Sequence, residues 1–150
     1  MKFPVGSVLF FMVVCGLICF GDEKDTLEQL IARAESASAS QQLDIYLEIA
    51  DRESKLAVDA YKSSNLEDGH KALQQTVAYA DKAHANVLKS GKKLPRTEIK
   101  IRRLVARFRD LKQNVDADEQ TGVQAAVDKL ESFRTDLLKA MFGPKNPESK

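Results

Sequence analysis

From Thr26 to Phe142 the apolar residues return every three or four positions, with glycine and proline scarce and no run of alternating β-branched residues. That spacing is the 3.6-residue period of an α-helix, and it commits the chain to amphipathic helices that must bury one face against each other. Five helices can be drawn, over about residues 26–37, 41–63, 66–90, 95–114 and 118–142. The first is opened by Asp25 with Glu28 as capping-box partner, and its apolar positions are Leu27, Leu30, Ile31 and Ala34. "SASAS" (Ser36–Ser40) follows, read either as a hinge or as a weak point in one long helix.

The second helix carries two adjoining apolar faces: Leu43, Tyr46, Leu47, Ala50, Ala57 and Tyr61, then Ile45, Ile49 and Leu56. An arc that wide demands two neighbours, to be filled by the first helix or by another copy of the protein. Its remaining face is an acidic stripe of Asp44, Glu48, Asp51 and Asp59. Asn65 caps the third helix, with Asp68 at the box position, and its seam is Leu66, Leu73, Val77, Ala80 and Val87. Gly91 suits a left-handed C-cap and Pro95 a first helical turn. In the fifth helix Asp116 and Glu119 pair as a capping box, Val123, Val127, Leu130, Phe133, Leu137 and Met141 form the stripe, and Gly143-Pro144 ends it. Long helices with short connections predict an all-α, up-and-down antiparallel bundle of four to five helices, since parallel neighbours ordinarily need long crossovers.

The stretch before this pattern reads differently. Residues 1–21 have an early cation, Lys2, an apolar run from Val8 to Phe20, and then "DEKD". This is the layout of a signal peptide cleaved after Gly21, with an uncleaved membrane anchor as the alternative. The expected organisation is therefore a signal peptide over 1–21, a helical domain over 22–143 and a solvated tail over 144–150. Cleavage would remove Cys15 and Cys19 and with them any disulfide or thiolate site, leaving the core to hold the fold. The expected location is periplasmic or extracellular.

Charge is segregated within the exported part. Residues 22–88 hold seven basic and thirteen acidic side chains, residues 89–112 ten and two, and residues 113–150 five and seven. The basic block, "RTEIKIRRLVARFRDLK" at its centre, supplies the candidate contacts for an anion or partner: Lys92, Lys93, Arg96, Lys100, Arg102, Arg103, Arg107 and Arg109. On a helical wheel with Ile101 at zero, Leu104, Val105, Phe108 and Leu111 fall at about 300°, 40°, 340° and 280°. Arg102 and Arg109 lie near 100° and 80°, and Lys100, Arg103 and Arg107 between about 200° and 260°. The cations flank the apolar face on both sides, which favours neutralisation by acids of neighbouring helices over one docking stripe. Glu98 and Arg102 also stand at a favourable i, i+4 spacing. The alternative is association with an anionic polymer or membrane surface. The run's only aromatic, Phe108, points inward, so no stacking platform for nucleic acid is expected.

Catalytic and cofactor signatures are not found. His70 and His84 are fourteen residues apart on one helix, roughly 21 Å along its axis, too far to share a metal, and are read as partly buried side chains bonded to neighbours. A haem held by Met141 and one of these histidines is not expected, because there is no C-x-x-C-H and no spacing that requires it. "DADEQTG" (Asp116–Gly122) fails as a calcium loop, because Gly122 sits at the seventh position and Val127 at the twelfth. There is no Cys–His pair, G-x-S-x-G, phosphate loop or H-E-x-x-H, and the carboxylates lie on polar faces where nothing tunes them. "AVDAYKSSNLEDGHKALQQTVAYA" (Ala57–Ala80) is similar to the helix–turn–helix of a tetratricopeptide unit, with Tyr61 and the "SSN" turn in place. One copy makes no repeat array, and Gly69 or His70 stands where that family has alanine. The sequence therefore points to an exported, non-enzymatic helical protein with an interaction or scaffolding role. No cofactor, metal, small-molecule substrate or specific nucleic acid is expected, and the partner is a protein, self or other, or an anionic surface.

Overall fold

The computed structural model describes residues 25–144; the expected signal peptide over 1–21 and nearly all of the expected tail lie outside the described residues. Among the described residues the chain is all-helical: α1 (Leu27–Ser36), α2 (Ala39–Lys62), α3 (Leu66–Ser90), α4 (Leu94–Asn114) and α5 (Ala117–Phe142).

Local chemistry sets the joints. α1 is capped by Thr26, not Asp25: the Gln29 amide N–H donates to Thr26 Oγ1, and Gln29 Oε1 accepts from the Thr26 N–H at 2.7 Å. Asp25 pairs instead with Arg33. At "SASAS" the helix breaks, with Ala37 extended at ψ 154 and Ser38 starting α2, where Gln41 Oε1 accepts from the Ser38 N–H at 3.2 Å. Asn65 caps α3 with Oδ1 towards the Asp68 N–H, and Gly91 closes that helix at φ 64, as expected. Asp116 stands at the start of α5, but Glu119 does not complete a box there; its carboxylate bonds to His70 across the bundle.

Packing joins α2 with α3 and α4 with α5 as antiparallel hairpins, and lays one hairpin on the other. Asn86 bonds to the Ala39 carbonyl and Tyr46 meets Tyr79 across the first hairpin; Glu98 meets Arg134 and Lys112 meets Gln124 across the second. Between hairpins the order runs the other way. Lys93 reaches Asp44 and Arg107 reaches Asp51, while His70 reaches Glu119 and His84 faces Asp136, so α2 lies parallel to α4 and α3 parallel to α5. Consecutive helices are antiparallel, yet like-directed helices are neighbours without any long crossover. The three residues Gly91–Lys93 suffice because α3 and α4, which they join, meet only weakly and the hairpins stack sideways.

The shared core includes Leu43, Ile49, Val87, Ile101, Phe108, Leu130 and Leu137, all fully buried. The second apolar face of α2 is filled by α1, which runs back along it with Leu30 and Ala34 buried. α1 is too short to cover Leu56, which is 51% exposed. The expected α3 seam is buried at Leu73, Ala80 and Val87, with Val77 packed against the core, and the buried face is wider than that seam. Leu66 is 42% exposed, whereas Gly69, Ala72, Thr76, Tyr79 and Ala83 are buried. Gly69 explains part of that widening: the Tyr61 ring lies 3.1 Å from the place of a Cβ.

Candidate anion-contact face on α4

The basic helix is built on Ile101, Leu104, Val105, Phe108 and Leu111, which bury one face and so fix where every cation points. On the α2 side stand Lys93, Arg96, Lys100, Arg103 and Arg107, and on the α5 side Arg109 and Lys112. Acids of the neighbours meet some of these. Asp44 takes Lys93 at 2.9 Å and Arg96 at 3.4 Å, Asp51 takes Arg107 at 2.9 Å, and Glu131 takes Arg109 at 2.7 Å. Lys92, Lys100, Arg102 and Arg103 have no carboxylate partner among the described residues.

Glu98 departs from the expected helix-internal pair with Arg102. It is buried, and Arg134 of α5 grips its Oε1 with Nε at 2.9 Å and Nη2 at 2.8 Å while Nη1 donates to Glu131 at 2.8 Å. A desolvated carboxylate gains more from a fixed guanidinium than from an exposed arginine on its own helix. Burial works against Arg134's charge, but Glu98 and Glu131 outweigh it and raise its pKa.

Between α2 and α4 lies a groove of about 230 Å³ whose rim brings Lys55 of α2 together with Lys100, Arg103 and Arg107 of α4. Asp51 organises it. Burial pushes its carboxyl up, yet hydrogen bonds from Lys55 and Arg107 with their charges outweigh this and hold it below the ordinary value. Arg107 Nη1 also donates to the Oγ of Ser54, which is fully buried and donates to the Asp51 carbonyl at 2.7 Å. Lys55 escaped the sequence reading because it sits on the acidic stripe of another helix. Its i, i+4 spacing from Asp51 was the available signal.

The histidines sit at the α3–α5 contact. His70 bonds to Glu119 and meets the Tyr61 ring edge-on at 5.8 Å; His84 stacks on Phe133 at 4.7 Å with Asp136 at 3.4 Å. Beside His70 an open groove of about 470 Å³ between α3 and α5 is lined by small and apolar residues, among them Val77, Gly122 and Ala125, with Gln74, Asp81 and Lys129 adding polar groups. No group of three or more His, Cys, Asp or Glu that could hold a metal occurs among the described residues, and none of their helices is long and apolar enough to cross a membrane. No family model, curated protein or solved structure matches this chain.

Proposed function

We propose that this is a non-enzymatic interaction or scaffolding protein that works after export, and that it meets an anionic partner through the cationic face shared by α2 and α4. Export is supported by the apolar run and polar switch of residues 1–24. The anionic partner is supported by one observation: neighbouring acids neutralise only part of α4, leaving Lys100 and Arg103 facing the groove without carboxylates among the described residues. Burying a core does not require these cations, and like charges held together cost stability unless a counter-charge arrives.

Retention of the secreted chain on heparin tests the reading. Binding at low salt that weakens steeply above about 0.1 M, where exposed charges are screened beyond roughly 10 Å, is expected. Reversing Lys100, Arg102 and Arg103 to glutamate abolishes it, and a parent chain that flows through at low salt refutes it. N-terminal sequencing of the secreted form, expected to begin at Asp22, tests export.

A further inference from the structure

We infer that the groove between α2 and α4 is a site for a phosphomonoester-class oxyanion, seated among Lys55, Lys100, Arg103 and Arg107. This rests on the proposal that the α2–α4 face meets an anionic partner, and narrows that face to one pocket. Among the described residues four cations there surround a single carboxylate, Asp51, so a dianion balances the surplus better than a carboxylate or a phosphodiester does.

The pocket is organised before any ligand arrives. Asp51 and Ser54 hold Arg107 through Nη1 alone, which leaves Nε and Nη2 without partners among the described residues. Two parallel N–H groups on a pinned guanidinium are the donor pair that grips two oxygens of one phosphate. Lys55 is tethered to the rim by Asp51 at 2.7 Å. Leu47 and Leu104, both buried, form an apolar wall that strengthens each charge interaction. At about 230 Å³ the groove is smaller than pockets that enclose whole drug-sized ligands, so it fits a headgroup. An extended polyanion would draw equally on Arg102 and Arg109, but Arg109 turns to Glu131 on the other flank.

The phosphomonoester has two sources, a soluble metabolite or a lipid headgroup, and the secreted full chain distinguishes them. Amide and side-chain NMR shifts are followed with glycerol 3-phosphate, and sedimentation with phosphatidylcholine vesicles containing phosphatidic acid or, as the diester control, phosphatidylglycerol. We expect saturable shifts at Lys55, Arg103 and Arg107 and none at Lys92 or Lys139, from the soluble ester, or co-sedimentation with phosphatidic acid alone. Removing Lys100 and Arg103 together, both to alanine, weakens binding by about tenfold or more, as loss of charge-assisted hydrogen bonds does. Lys55→Gln weakens it independently, with circular dichroism unchanged in each variant. Affinity falls as pH drops below about 6, where a phosphomonoester loses its second charge. Shifts that equal those from chloride, or variants that bind like the parent, overturn the site. Heparin retention surviving that result leaves the broader proposal standing, and its loss as well removes both.

Discussion

Glu98 is 7% exposed and depends on one guanidinium, so Arg134→Ala isolates what that pair contributes. The carboxylate would keep its burial and lose two charge-assisted hydrogen bonds of 2.8–2.9 Å. Breaking a fully buried pair from one side costs about 3–5 kcal/mol. Arg134 is 21% exposed and some water would reach Glu98, so a loss of about 2–3 kcal/mol is expected. For a domain this size that lowers the melting temperature by about 10 °C. Arg134→Met with Glu98→Met removes both charges while keeping apolar volume, and should recover most of the loss, because no buried charge is stranded. Urea and thermal unfolding by circular dichroism at 222 nm compare both variants with the parent. If Arg134→Ala unfolds within about 0.5 kcal/mol of the parent, or the double variant loses as much as Arg134→Ala, the pair does not anchor the α4–α5 hairpin.

Three further substitutions address single features of the bundle. Burial raises the pKa of Glu53, with Lys71 opposing it, above an ordinary value of 4.5. A raised acid leaves stability whole below its unfolded pKa and erodes it as pH climbs through the folded one, so Glu53→Gln should stabilise the fold by about 0.5–1 kcal/mol at neutral pH. That gain should vanish near pH 4, and a gain that persists there under urea titration contradicts the assignment. Gly122 has open space where a Cβ would stand, so Gly122→Ala should add about 0.5–1 kcal/mol of helix stability, read from the unfolding midpoint. Burial first and Glu119 second push the Tyr61 hydroxyl up to about 12, and that buried hydroxyl has no well-formed hydrogen bond. Tyr61→Phe should therefore leave stability within about 0.5 kcal/mol of the parent, since Glu119 keeps its bond to His70, and a spectrophotometric titration should lose a tyrosine step near pH 12.

The helices were legible because their signals are local. Asn65, Gly91 and the 3.6-residue period act within a few residues, and α3 accordingly begins and ends where the residues say. What neighbours do to one another was not legible. Glu119 answers His70 rather than its own helix start, and Glu98 answers Arg134 rather than Arg102, since a buried or cross-helix partner outcompetes an exposed one four residues away. The same limit hid the stacking of hairpins. Short connections dictate antiparallel succession but leave open which helices then lie side by side, and only the small Gly69 beneath Tyr61 hinted at how closely α2 and α3 approach.

The candidate site follows from a mismatch of periods between two parallel helices. On α2, Asp44 and Asp51 lie seven residues apart on the side facing α4, while Glu48 steps around the helix and pairs with Arg52. α2 thus offers α4 one carboxylate every two turns, roughly 10 Å. α4 answers with a cation at nearly every turn: Lys93, Arg96, Lys100, Arg103 and Arg107. The outer members find Asp44 and Asp51, and Lys100 and Arg103 fall in the interval. A purely structural charge ladder would place its acid there, at the level of Leu47, and that position is instead a buried leucine forming the wall of the groove. Strength of ion pairing therefore does not account for the spacing. The oxyanion proposed for that groove would supply the missing negative charge.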